Sequence, residues 1–324
     1  MPRPTPAMTL LALGLLIVIV PASSLKVFGD RSEAVSVWEV ILSSGLDTSA
    51  YVDMASSGCG FTDDCTRSYD LQSVGTAAEL QTSPEKKYAA AQQKIHDRAR
   101  AACARDSDQV LETGGWCYNA DKSRLVHAGP RETDVDYLLP PGHVTADAGF
   151  VSAIAEHILL KPNGDCCYTL TDLGAGVGQF GHALKSRLPT LEYHGYDGGG
   201  NVDEFTHNFV KFADLSTHVS FKPTDWVISS EVGEHVPNQF EEQFITNIHA
   251  ANCKGVVLTW AVLQQGGKHH VNCHSNQYMI DVFSGLGYTF NQKMSTVLRE
   301  GVGSSPWLRH STMVFERVQT PAHC

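Results

Sequence analysis

From residue 145 onward the chain alternates short apolar strands with helical stretches, and this alternation limits the fold more than any other feature. "CYTLTDLG", "LEYHGYDG", "DWVISSE" and "GVVLTWA" read as strands, each a short run rich in β-branched and aromatic residues. "GQFGHALKSRL", "VDEFTHNFV", "QFEEQFITNIHAA" and "SNQYMIDVFSGLG" read as the helices between them, with "VSF" a short extended piece. "YTFNQKMST" and "STMVFERV" read as a terminal hairpin. Apolar strands that each lead into a helix need a mostly parallel sheet covered on both faces. The expectation is an α/β fold: a doubly wound, mostly parallel seven-stranded sheet with a C-terminal antiparallel hairpin.

Upstream the pattern is different. "SPEKKYAAAQQKIHDRARAACARD" (83–106) is a strong helix, with Ser83 as cap, Pro84 in the first turn and Ala with long polar residues in its body. The following "GGWCYNADKSRLVHAGPRETDVDYLLPPGHV" is loop-like and ends in Pro140–Pro141–Gly142, the best internal boundary. "TADAGFVSAIAEHILL" (145–160) is an amphipathic helix that Thr145 or Asp147 can cap. Three regions result: 1–24, a mainly helical and loop-rich 25–140 containing cysteines, and 141–320 with the sheet.

The first region has the layout of a secretory signal. One Arg precedes an apolar run from Met8 to Val20, then come Pro21 and the small residues Ala22, Ser23 and Ser24. The run is shorter than the roughly 20 residues of a membrane span, so the segment reads as a cleaved signal or an uncleaved anchor. Both send the chain into the secretory pathway, to the ER or Golgi lumen or beyond. All nine cysteines lie past this segment. In an oxidising compartment several should pair, and the odd number leaves at least one over. Cys59 and Cys65, flanking "GFTDD", are the most plausible local pair. The absence of an Asn-x-Ser/Thr sequon weighs slightly the other way.

"TLTDLGAGVGQFGHAL" (169–184) is a strand, a glycine turn and a helix, the arrangement that lets a ligand approach backbone and free N–H groups. Gly176-x-Gly178-x-x-Gly181, with Asp197 further on, matches a dinucleotide fingerprint, so an NAD-binding oxidoreductase is a rival reading. Against it, Asp172 ends its strand two residues before Gly174, where a carboxylate would face a pyrophosphate unfavourably but would pair with a cationic amino group. Asp172-x-Gly174-x-Gly176-x-Gly178, Asp197 in "HGYDGG", Asp214 in "KFADLS" and the strand "DWVISSEVGEHVP" together resemble the class I S-adenosylmethionine-dependent methyltransferases. The resemblance spans about residues 145–320 and implies a Rossmann-like fold. It also implies that Asp172, Gly174, Gly176 and Gly178 meet the methionine end of S-adenosyl-L-methionine, Asp197 the ribose hydroxyls and Asp214 the adenine amino group. For Asp214 a turn cap is an equal alternative.

"SSEVGEHVP" places Glu231, Glu234 and His235 at helical spacing after a buried strand. "QQGGKHHVNCHSN" then offers His269, His270 and His274 after the next strand. A Glu-x-x-Glu-His motif of this kind resembles that of metal-assisted O-methyltransferases, which implies a divalent-cation site of Glu231, Glu234, His235 and His270, with His269 second to His270. Oxygen and nitrogen donors suit Mg2+, Mn2+ or Fe2+. An alcohol is almost fully protonated near neutral pH, so a Lewis acid would help it attack a sulfonium methyl, and His235 or His270 could take the proton. The same stretch fits direct substrate contact, or a helix start in which carboxylates favour the dipole.

The net charge of -11 argues against a nucleic-acid partner, whose binding is dominated by Lys and Arg. The expected acceptor is a hydroxyl on a sugar or small molecule, and any membrane contact runs through an uncleaved N-terminal segment. A catalytically inactive Rossmann-like binding protein is the non-enzymatic alternative.

Overall fold

The computed structural model describes the backbone of residues 8–13 and 16–21, and then residues 84–324 apart from 108, 112, 113, 164, 165 and 323. The chain divides into two compact units, Met1–Arg67 and Ser68–Cys324. In the first, strands β1 (Met8–Leu13) and β2 (Leu16–Pro21) pair antiparallel. Residues 22–83, including the Cys59–Cys65 pair expected above, lie outside the described residues. No helix among the described residues is long and apolar enough to cross a membrane.

The second unit holds the expected seven-stranded sheet. Its strands are β5 (Leu170–Leu173), β6 (Tyr193–Asp197), β7 (Val210–Phe212), β8 (Thr224–Ser230), β9 (Asn252–Thr259), β10 (Tyr288–Phe290) and β11 (Met313–Arg317). They lie in the order β10-β11-β9-β8-β5-β6-β7, and only β11 runs antiparallel to its neighbours. The chain steps outward from β5 through β6 to β7, then returns to the other side of β5 as β8. That reversal opens a crevice at the carboxyl ends of β5 and β8, the usual ligand position in open α/β sheets.

Successive residues of one strand point to opposite faces, which makes two cores. Ile228, Val257 and Val314 pack with Phe150, Ile154, Leu184 and Leu298, which belong to helices α2 (Ala148–Ile154), α3 (Gln179–Arg187) and α7 (Gln292–Gly301). Val227, Val256 and Phe315 pack on the other face with Phe244, Ile248, Met279 and Phe283 of α5 (Glu241–Ala250) and α6 (Asn276–Gly285). The short helices α4 (Val202–Phe205) and α8 (Leu308–Ser311) complete the set after α1 (Pro84–Arg105).

Three local expectations are corrected. The third strand is Val210–Phe212, whereas Val219–Phe221 is irregular; the Val219 N–H is taken by the Asn247 side chain on α5 at 3.2 Å. "NQKMST" is not a strand arm. Asn291 caps α7 by accepting from the Met294 N–H at 2.8 Å, and Ser295 and Leu298 form the helix's buried stripe. The segment read as loop before residue 140 contains a two-stranded sheet, β3 (Arg124–His127) with β4 (Asp136–Leu139). β3 is largely exposed and β4 fully buries only Leu139, so no apolar period announced them.

Asp147 caps α2, and its role extends beyond the helix. Its carboxylate accepts from the Phe150 N–H at 2.9 Å and from the N–H groups of Gly303, Ser304 and Ser305 at 2.6–2.9 Å. Burial pushes the carboxyl up, but these four backbone donors outweigh it and hold Asp147 below its ordinary value. Disulfides join Cys103 to Cys117, Cys166 to Cys167 and Cys253 to Cys324. Cys273 is the free cysteine among the described residues.

Candidate active site

A cavity of about 380 Å³ opens at the carboxyl ends of β5 and β8. Asp172, Gly174, Gly176, Asp197 and Asp214 line it on one side, and Glu231, His235 and His270 on the other. The glycine turn after β5 takes left-handed backbone at Gly174, Gly176 and Gly178, with φ of 81°, 57° and 84°. A Cβ at Gly174 would lie 2.3 Å from the Val232 side chain, so both conformation and space require glycine there.

Asp172 is 1% exposed, and its carboxylate has one hydrogen bond, from the Tyr193 hydroxyl at 2.9 Å. Burial raises its pKa to about 7, against the Tyr193 bond and with the help of the Asp197 charge. A buried carboxyl with no cation beside it, at the wall of a cavity, fits a ligand bearing a cationic amino group. Asp197, at the end of β6, accepts from the Gly176 N–H at 2.8 Å, the Gly199 N–H at 2.7 Å and the Tyr118 hydroxyl at 2.9 Å. Burial raises its pKa too, opposed by those donors. Asp214 lies on the same wall, but one of its oxygens is held in a turn by the Ser216 N–H and hydroxyl, at 3.0 and 2.6 Å. Gly178 sits behind the turn as the N-cap of α3, outside the cavity lining.

On the opposite side, Gly233–His235 is a single tight turn that leaves Glu234 fully buried. Both Glu234 carboxylate oxygens are buried and make no hydrogen bond of good geometry, although the Ala261 backbone and the Glu231 carboxyl lie close by. Burial, reinforced by the Glu231 charge, pushes Glu234 well above the carboxylate range. The main chain of Glu234 is fixed, because its carbonyl accepts the Val271 and Asn272 N–H groups at 2.8 and 3.0 Å. These bonds bring the loop after β9 against the turn. One ligand atom each of Glu234, His235 and His270 then fall within 4.8 Å of one another.

The two imidazoles are oriented alike. His235 Nδ1 faces the His269 carbonyl at 3.2 Å, and His270 Nδ1 faces the Gln265 carbonyl at 3.1 Å. A carbonyl only accepts, so each Nδ1 carries the proton and each Nε2 presents a lone pair. Burial lowers His235 to about 4, which keeps it neutral and able to ligate. A buried carboxylate beside two such imidazoles fits a divalent cation, and the nitrogen majority favours Fe2+ over Mg2+.

Glu231 stands outside that trio. It has φ of 56°, uncommon for a non-glycine residue, fixed by the Thr259 hydroxyl on its N–H at 2.8 Å. Its carboxylate accepts from Gln265 and Ser311, each at 3.2 Å, and burial raises its pKa. His269 and His274 are not brought to the cluster either. His269 packs edge-on against Trp116, and His274 Nε2 is bound to Glu241 at 2.6 Å in a buried pair. Burial raises Glu241, but His274, Tyr278 and Asn272 outweigh it and lower its pKa.

Sequence reasoning missed Trp116, Tyr118, His143, Lys268 and Trp307, all of which line the cavity. They come from loops whose neighbours in space are far away in sequence. The only available signal was the "GGWCY" run, whose aromatic residues beside a cysteine are unusual in an exposed loop.

No family model and no curated protein matches the chain. Solved structures match at the level of the fold. Magnesium protoporphyrin IX methyltransferase from Synechocystis PCC 6803 with bound SAM has 14% identity over 53% of this chain and 76% of that one, with a TM-score of 0.37. Human N-acetylserotonin methyltransferase in complex with SAM has 14% identity over 53% of this chain and 52% of that one, with a TM-score of 0.38. An O-methyltransferase family protein from Burkholderia thailandensis has 11% identity over 52% and 55%, with a TM-score of 0.37. The chain spans about half the length of the last two proteins.

Proposed function

We propose that the chain is an S-adenosylmethionine-dependent O-methyltransferase assisted by a divalent cation. It acts on a hydroxyl of a glycan or small molecule in the secretory pathway. One observation carries the reading: a single cavity joins the glycine turn and its two acidic strand ends to His235 and His270, whose ligand atoms lie within 4.8 Å of a Glu234 carboxylate oxygen.

Asp172 supports the cofactor assignment by offering a buried carboxylate to an amino group, and Asp197 by offering one to a hydroxyl. The cofactor supplies an electrophilic methyl group. Glu234, His235 and His270 would hold the cation, which supplies Lewis acidity toward an acceptor hydroxyl and lowers its pKa. Glu231 holds the Gln265 and Ser311 side chains and lies near enough to Glu234 to repel its negative charge. Trp116 at the cavity wall, with Lys268 Nζ 5.0 Å from its ring centroid, supports an acceptor with an apolar C–H face and polar edges, such as a sugar. The paired cysteines and the N-terminal apolar run support a lumenal location.

Calorimetric titration with S-adenosylhomocysteine tests the assignment. Binding at one site per chain is expected, with Asp197→Ala weakening it by about 1–3 kcal/mol as a charge-assisted hydrogen bond is lost. Preferential binding of NAD would overturn the reading in favour of an oxidoreductase.

A further inference from the structure

Three consecutive glycines, Gly198–Gly200, follow Asp197, and the structure gives each a neighbour. A Cβ at Gly199 would lie 2.4 Å from the Tyr118 ring, and one at Gly200 2.7 Å from both Cys103 Sγ and the Ala99 backbone. From the facing side, a Cβ at Gly115 would lie 2.1 Å from the Gly198 carbonyl oxygen. The glycine run is therefore the docking surface for two pieces of the region before residue 140: helix α1, and a strap formed by residues 114–118.

The strap is tied down by side chains. The Tyr118 N–H donates to Asn201 Oδ1 at 2.9 Å, and Asn201 Nδ2 donates to the Tyr118 carbonyl at 2.8 Å. Tyr118 is 4% exposed, and its hydroxyl reaches Asp197. The adjacent Cys117 is bonded to Cys103 on α1. Helix α1 is itself anchored at the cavity rim, where Gln92 Oε1 accepts from the Asp214 N–H and Gln92 Nε2 donates to the Asp214 carbonyl, both at 3.0 Å.

The bonding of Asp197 gives the arrangement a purpose. Each carboxylate oxygen has two lone pairs. Oδ1 accepts from Gly199 and Tyr118, and Oδ2 from Gly176. Tyr118 thus fills Oδ1, fixes the plane of the carboxylate and leaves Oδ2 one lone pair for a ligand hydroxyl. We propose that Tyr118 is a cofactor-positioning residue, and that the strap carrying it is fastened by the Cys103–Cys117 bridge, so that cofactor retention depends on that bridge. The proposal rests on the cofactor reading given above. Opening the bridge takes two electrons and two protons from an external dithiol, which leaves as its own disulfide, and frees one thiol on α1 and one on the strap.

The test uses the full chain, with S-adenosylhomocysteine as probe. Tyr118→Phe keeps the ring and the bridge and loses only the hydroxyl. It should weaken binding roughly fivefold with stoichiometry unchanged, and lower the ligand-free thermal midpoint by only a few degrees, as one buried hydrogen bond is lost. The pair Cys103→Ser with Cys117→Ser should weaken binding about tenfold or more, mainly through faster dissociation, because a loosened strap must be ordered again on binding. A strap that only braced the fold would move the thermal midpoint and the active fraction instead. If the serine pair does not fold, Asn201→Ala replaces it, untying the strap from the glycine run while keeping the bridge. Mild reduction of the folded Tyr118→Phe and wild-type chains joins that variant, with the same roughly tenfold loss expected on reduction of the wild type. Affinity within about twofold of wild type in either variant would overturn the proposal. Failure of the wild type to bind would overturn the cofactor reading, and this proposal with it.

Discussion

Glu234→Gln should lower Mn2+ affinity about a hundredfold or more while leaving S-adenosylhomocysteine affinity within about twofold of wild type. The metal effect is large because Glu234 is the one carboxylate in the trio, and even partners outside a coordination shell are worth about 10–100-fold. The cofactor effect is small because Asp172, the glycine turn and Asp197 form the other wall of the cavity. Methyl transfer to a panel of simple diols should fall with metal affinity, and a chelator should inhibit the wild type reversibly. The folded chain should tolerate the change, since glutamine keeps the size of the buried side chain and removes a carboxyl that burial and the Glu231 charge already disfavour as an anion. Elemental analysis and calorimetry check both halves. Full activity in excess chelator would remove the cation and leave His235 or His270 as a plain base.

Asp172→Asn should make the ligand-free chain more stable at about pH 8 and reduce S-adenosylhomocysteine affinity about a hundredfold, as expected when a buried charge pair loses one partner. The pH dependence follows from the raised pKa. Between the ordinary value of 3.8 and about 7 the folded chain keeps a proton that the unfolded chain has released. Stability of the ligand-free wild type therefore falls as pH rises through that window, and the loss is complete above it. Asparagine can keep the Tyr193 bond and does not titrate. Thermal midpoints of variant and wild type should coincide near about pH 4 and separate by several degrees near about pH 8. S-adenosylhomocysteine should close the gap by raising the wild type alone, because its amino group supplies the missing cation. Equal midpoints at both pH values would show that Asp172 carries no buried charge in the free protein.

What the sequence made legible were the parts encoded locally. Strand β5, the glycine turn and α3 are one continuous stretch, and the apolar strands β8 and β9 announce themselves by composition. Glu234, His235 and His270 were also legible as a group, since two short motifs after neighbouring strands must meet at one sheet edge. The geometry within the group was not. Helical spacing put Glu231 on the same face, but the chain makes a single tight turn there and Glu231 adopts left-handed backbone, which sends its carboxylate to Gln265 and Ser311. His274 looked like a third candidate until Glu241 on α5 claimed it, a contact across 33 residues that no local pattern encodes. The strap was invisible for the same reason. Its partner glycines lie about 80 residues on, and their need for space is a property of the assembled chain.

The Asp147 cradle bears on the order in which the chain can become competent. Asp147 lies 156 residues before Gly303, and the N–H groups it gathers belong to the segment leading to Ser305, Trp307 and Leu308 at the cavity wall. While the polypeptide emerges from the ribosome, α2 can form, but its capping carboxylate must remain hydrated and that wall cannot yet exist. Closing so long a loop is slow, and it comes only after most of the sheet is available to pack against. The cradle also precedes β11 in the chain, so the wall and the strand wedged between β9 and β10 arrive after the other strands of the sheet. A nascent chain stalled before residue 303 would carry the glycine turn and the Glu–His cluster but an unfinished pocket, and would hold its ligands poorly until residues 303–308 have emerged.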